Sequence, residues 1–146
     1  MIAFLRPDAW DFPLFLHVLG ATVLFGGVST LAIVSIAGLR VPDHALMLRR
    51  LAFWTTLVLV WPAYVLMRVG AQWIVSKEQL DKDSPGWVNA GFFVADGGLL
   101  VLLALTILGW LALRRPRLTP WVAGLAVLYI AALGFAWFAM SAKPSL

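Results

Sequence analysis

The chain has 146 residues, 62% of them hydrophobic, carries a net charge of +4 and has no cysteine. Soluble domains are about half apolar, so water is the wrong solvent for this fold. Disulfides, thiolate metal sites and thiol catalysis are excluded along with cysteine. The positive charge sits in short segments between apolar runs, as in the loops of membrane proteins, and no basic segment with interleaved aromatics offers a nucleic-acid surface.

A spanning helix needs about 20 mostly apolar residues, and four runs qualify. The first covers residues 12–39, with Pro13 in its first turn, where a missing N–H costs nothing. Asp8 and Asp11 precede it where a signal peptide would be basic, so it reads as a retained helix. It carries His17 and a stripe of small residues, Thr22, Gly26 and Thr30 with Gly27 beside them, which predicts a helix–helix contact face. A loop with Arg40, Pro42, Arg49 and Arg50 follows.

The second run covers residues 51–75. Pro62 frees the carbonyl of Val58 and predicts a kink, and Arg68 and Gln72 lie one turn apart beyond it. The next loop contains Lys77, Glu78, Asp81, Lys82, Asp83, Pro85 and Gly86. The third run, residues 90–113, carries Asp96 with Gly97 and Gly98. Arg114, Arg115, Pro116, Arg117 and Pro120 form the third loop. The fourth run, residues 121–140, has a small face at Ala132 and Ala136 and ends at Met140.

Each run is continuously apolar, without the alternation of a barrel strand, and must satisfy its own backbone in lipid. The expected fold is an all-α, single-domain bundle of four transmembrane helices running up-down-up-down. Leu48-Arg49-Arg50 and Gly70-x-x-Trp73 echo in Leu113-Arg114-Arg115 and Gly134-x-x-Trp137, a faint repeat of parallel hairpins.

Loops one and three hold six arginines, whereas the other side holds Arg6, Lys77, Lys82 and Lys143 diluted by acids. The positive-inside rule therefore places both termini outside. Trp10, Trp73, Trp87 and Trp137 fall near that outer boundary, Trp54, Trp110 and Trp121 near the inner one, and Trp61 lies mid-membrane.

Ionisable groups inside a span are costly and are paired or functional. At about 1.5 Å per residue, His17, Arg68 and Asp96 fall in the same outer third, with Gln72 one turn above Arg68 and Asn89, Tyr64 and Lys143 within range. A buried Arg68–Asp96 ion pair with His17 nearby is one expectation. A small polar pocket for a ligand, an ion or a proton is the other. Four-helix bundles also hold haem. Bis-histidine ligation is excluded because His44 lies in the opposite loop, which leaves His17 with Met140. His17, Met67 and Met140 together make a soft copper(I) set. No GxSxG, HExxH, phosphate-binding glycine loop or intramembrane carboxylate pair is present, and the inner two thirds lack the polar row of a channel.

The stretch Leu16-His17-Val18-Leu19-Gly20-Ala21, continuing to Phe25-Gly26-Gly27, resembles the first helix of small bacterial four-helix membrane proteins. Their last helix also tends to end on a Met followed by Lys-Pro, as Met140 to Pro144 does here. The His-x-x-Gly opening is similar to the membrane part of CopD-type copper-resistance proteins. The first resemblance implies a four-helix bundle with no agreed biochemical function, and the second implies a metal or haem near His17. The resulting expectation is a non-enzymatic protein of a bacterial plasma (inner) membrane, without a cofactor. It is read as an accessory or assembly component, or a small homo-oligomer, whose partners are the bilayer and itself or another membrane protein. A haem- or copper-binding redox protein using His17 and a small-molecule or proton-coupled transporter using Arg68 and Asp96 are the alternatives.

Overall fold

The computed structural model describes residues 11–78 and 86–142. Arg6, Asp8, Trp10, Asp81, Lys82, Asp83, Pro85, Lys143 and Pro144, and the side chains of Asp11, Glu78 and Trp87, lie outside what is described.

Continuous apolarity yields continuous helix. Helix α1 spans Asp11–Arg40, α2 Ala45–Thr55, α3 Trp61–Glu78, α4 Gly86–Arg114 and α5 Thr119–Ala142. A π-helical turn at Thr56–Val60 joins α2 to α3 in one unbroken span. Four spans are long and apolar enough to cross a membrane: Phe12–Arg40, Pro42–Lys77, Val88–Arg114 and Pro116–Ala142. No strand occurs among the described residues. The protein is an all-α four-helix membrane bundle.

The π turn is what Pro62 does to its helix. Proline cannot donate to the carbonyl of Val58, and its ring crowds that turn. The chain relaxes by one wider turn, in which the Trp61 N–H reaches Thr56, five residues back. Such bulges are a recognised cause of helix bending.

The spans extend beyond the sequence estimate. Arg49 and Arg50 belong to α2 and Pro120 to the first turn of α5, because a first-turn proline loses no bond and long cationic side chains reach the interface from within a helix. Two of the turns share one design. Val41 and Arg115, each followed by proline, take similar extended backbone angles, φ −119° and −126° with ψ 84° and 85°. A residue before proline is pushed out of the helical region, so α1 and α4 each stop there and a three-residue 3₁₀ turn starts the next span. The echo at Gly70 and Gly134 is not structural: Gly70 is tightly packed, whereas nothing surrounds Gly134.

The core runs along the bundle axis through Leu24, Val28 and Leu31 of α1, Val60 and Ala63 of the second span, Leu102 and Leu105 of α4, and Ala126 and Tyr129 of α5. Lipid offers no hydrophobic drive for helix association, so close packing and interhelical hydrogen bonds hold the helices together. The closest approach is between α1 and α3. A Cβ on Gly20 would stand 2.7 Å from the Cα of Met67, and one on Gly70 would stand 2.5 Å from the backbone nitrogen of His17. The expected contact stripe is elsewhere: Thr22, Gly26 and Thr30 are exposed, and open space surrounds Gly26. Of the four residues named for packing, Gly27 alone faces a neighbouring helix, against Leu59 and Val60. The two hydroxyls of the stripe bond within their own helix, Thr22 to the Val18 carbonyl and Thr30 to the Gly26 carbonyl.

Mid-bundle, the Trp61 indole N–H donates to Thr106 Oγ1 at 2.9 Å, and the Thr106 hydroxyl donates to the Leu102 carbonyl at 2.8 Å. This chain fastens the second span to α4 just beyond the π turn.

Candidate functional site

Because α3 is drawn against α1 by the glycine contacts, it stands away from α4 toward the pole where α1 begins and α5 ends. Side chains bridge the gap. Tyr64 donates its hydroxyl to the Ala95 carbonyl at 2.9 Å. Arg68 Nη2 donates to Asp96 Oδ1 at 2.8 Å, and the guanidinium carbon lies 4.7 Å from the centroid of the Phe92 ring. The Arg68–Asp96 pair anticipated from the sequence is therefore present, but it is not buried: the two side chains are 29% and 65% exposed. The pair spans an open gap, and the carboxylate ends on the outer surface of the bundle. Arg68 Nη1, in contrast, is buried with no acceptor in good hydrogen-bond geometry, although the Tyr64 hydroxyl lies within reach of the guanidinium.

Behind these bridges lies a cavity of about 460 Å³, within the usual range of small-molecule sites. It is walled by all four spans. Leu14, His17 and Phe25 come from α1, Met67, Arg68 and Ala71 from α3, Gly91, Phe92 and Ala95 from α4, and Leu133, Ala136, Trp137 and Met140 from α5. It reaches the end of the bundle, where exposed Lys77 and Ser141 border it. Phe25 and Trp137 meet edge to face, ring centroids 6.0 Å apart, across α1 and α5.

His17 is fixed in this wall. Its Nδ1 lies 3.0 Å from the main-chain carbonyl of Met67. A carbonyl only accepts, so Nδ1 carries the proton, which in the neutral form of the ring leaves Nε2 as the acceptor. The ring is thus oriented by the neighbouring helix, with one acceptor nitrogen to spare.

Of the residues singled out in the sequence, His17, Arg68, Met67 and Met140 all line the one cavity. Asp96 touches it only through Arg68. Gln72 is exposed and does not line it, since Ala71, Ile74 and Val75 occupy that part of α3. Among the described residues no group of three or more His, Cys, Asp or Glu is placed to hold a metal ion. The aromatic wall of Phe25, Phe92 and Trp137 and the basic rim residue Lys77 were not legible as site residues. Nothing in an all-apolar helix marks which aromatic faces inward.

No protein-family model matches the chain, and no curated protein or solved structure is similar to it.

Proposed function

We propose that the chain is a non-enzymatic, multi-pass protein of a bacterial inner membrane that holds a small ligand in the cavity around His17, as an accessory component rather than a catalyst. The observation that supports this is a preformed cavity whose one imidazole is already oriented by the Met67 carbonyl. Sites that bind small molecules are mostly apolar, with a few placed polar groups, and this one has that make-up. The concentration of arginines at the opposite pole favours an orientation in which the cavity faces the outer side. Native mass spectrometry of protein released from membranes tests the reading. A bound small molecule in the wild type, lost when Ala21→Phe fills the cavity, is the expected result. Protein that carries no adduct and takes up neither a neutral nor a charged apolar probe overturns it.

A second reading, a haem or copper site, is favoured by the same hydrogen bond. Metal-ligating histidines commonly donate their other ring N–H to a backbone carbonyl. Nε2 of His17 with the thioethers of Met67 and Met140 is a donor set that suits copper(I), and His17 with Met140 is one that haem iron accepts. The resemblance of the His17-Val18-Leu19-Gly20 opening to CopD-type proteins is in keeping with this reading. Such a group would supply one-electron chemistry, while the protein would supply an oriented imidazole and an apolar wall. Absorption and metal analysis of the purified protein separate the readings. A Soret band or stoichiometric copper that His17→Ala abolishes establishes the second, and colourless, metal-free protein removes it.

A further inference from the structure

The cavity is charged in one sense only. Three titratable side chains line it among the described residues, His17, Arg68 and Lys77, and all are basic. Among the described residues the one carboxylate nearby, Asp96, points the other way: it is 65% exposed on the surface and is not part of the lining. The Arg68–Asp96 pair is therefore a dipole with its positive end toward the cavity. It is also incompletely matched. Arg68 offers five N–H donors, of which Asp96 accepts at Nη2 and the Tyr64 hydroxyl lies within reach of the guanidinium, while Nη1 is buried with no acceptor in good hydrogen-bond geometry. A buried donor left unmet is destabilising, which favours an occupant that can supply oxygen acceptors. Lys77, at the mouth, pairs with no described carboxylate. The rest of the wall is largely apolar and aromatic, with Phe25, Leu133, Ala136 and Trp137.

We infer that the occupant is an anionic amphiphile. Its carboxylate or phosphate head sits at Arg68, with Lys77 as a second positive charge at the mouth, and its apolar body lies between α1 and α5. The inference rests on the cavity-binding reading above and adds the charge and polarity of the ligand. A neutral hydrocarbon would leave the guanidinium without an anionic partner on the cavity side, and a cation would meet the charges of Arg68 and Lys77 in a medium where charge repulsion is weakly screened. An acidic head on an apolar tail satisfies both halves.

Three probes of one chain length test this in phosphatidylcholine nanodiscs: 12-bromododecanoate, 12-bromododecanol and 12-bromododecyltrimethylammonium. The bromine quenches indole fluorescence at contact, and Trp137→Phe identifies the share of the signal that comes from the cavity wall. The expected result is Trp137-dependent quenching by the carboxylate at a concentration about tenfold lower than by the alcohol, with none by the ammonium. Lys77→Gln and added salt should both narrow that gap. Equal quenching by alcohol and carboxylate overturns the anion inference while leaving the cavity reading intact. No Trp137-dependent quenching by any probe overturns both. Replacing part of the phosphatidylcholine with phosphatidylglycerol identifies the source of the anion: displacement of the carboxylate points to a membrane lipid head, and no displacement to a free acid.

Discussion

The imidazole of His17 donates from Nδ1 to the main-chain carbonyl of Met67, 3.0 Å away, and so ties α1 to α3 at the level of the cavity. The same two residues flank the closest backbone approach in the bundle, where Gly20 meets Met67 and Gly70 meets His17. The bond is thus a consequence of the glycines. A wider helix spacing would carry the carbonyl out of reach. His17→Ala is expected to lower stability by about 1 kcal/mol, the scale of interhelical hydrogen bonds in membranes, and His17→Gln should recover part of the loss. Unfolding in mixed detergent micelles measures both. A His17→Ala protein as stable as the wild type would show that the bond contributes nothing.

The glycine contacts give a sharper contrast. Ala at Gly20 or Gly70 places a methyl group inside the backbone of the facing helix, and backbone cannot swing aside as a long side chain can. Either substitution is expected to force α1 and α3 apart and to cost more than the 1–3 kcal/mol typical of overpacking. Gly26→Ala, on the same helix but facing open space, should be neutral or slightly stabilising, since alanine favours helix over glycine by about 1 kcal/mol. Comparing the melting of the three variants checks this. Equal effects at Gly20 and Gly26 would contradict the arrangement.

That contrast also shows what was readable. The four spans were legible because each is an unbroken apolar run, and the levels of His17, Arg68 and Asp96 followed from counting residues along helices of known rise. The facing of each helix was not. A helix that is apolar all round has no polar stripe to mark its outer side, so a stripe of small residues at Thr22, Gly26 and Thr30 read as a contact although it lies on the surface. The usable signal was a different spacing. Gly20 and Gly27 are seven residues apart, as are Ala63 and Gly70, which is the repeat of a left-handed helix crossing. A small polar pocket at the level of His17 and Arg68 was one of the two alternatives the sequence offered, but the size and apolar walls of the cavity were not legible, because they arise from the separation of α3 and α4 and no single helix encodes that.

For the ion pair, the geometry sets an expectation different from that of a buried pair. Removing one partner of a buried pair costs about 3–5 kcal/mol. Here Asp96 is 65% exposed on the bundle surface and makes a single bond to Arg68, and where water of the head-group region reaches it such a pair contributes about 0.2–1 kcal/mol. A double-mutant cycle of Arg68→Ala and Asp96→Ala should therefore return a coupling of about 1 kcal/mol. Asp96→Ala should cost less than Arg68→Ala, because Arg68 also packs on Phe92. A coupling above about 3 kcal/mol would mean that another surface covers the pair in the membrane.

Deep in the bundle the order of costs reverses, because the donor has nowhere else to go. Trp61 Nε1 donates to the Thr106 hydroxyl, whose own proton is committed to the Leu102 carbonyl. Thr106→Val keeps the shape but leaves an indole N–H without an acceptor at a depth where water is absent. The expected cost is about 1–3 kcal/mol, that of a buried unmet donor. Thr106→Ser, which keeps the hydroxyl, should be nearly silent by comparison. Once Trp61→Phe has removed the N–H, Thr106 still bonds to Leu102, and Thr106→Val in that background should cost only a fraction of its effect in the wild type. Unfolding of the two single variants and the double variant in one micelle system measures this non-additivity. If Thr106→Val costs the same in both backgrounds, the hydroxyl acts through α4 alone and the link across the π turn does not hold the second span in place.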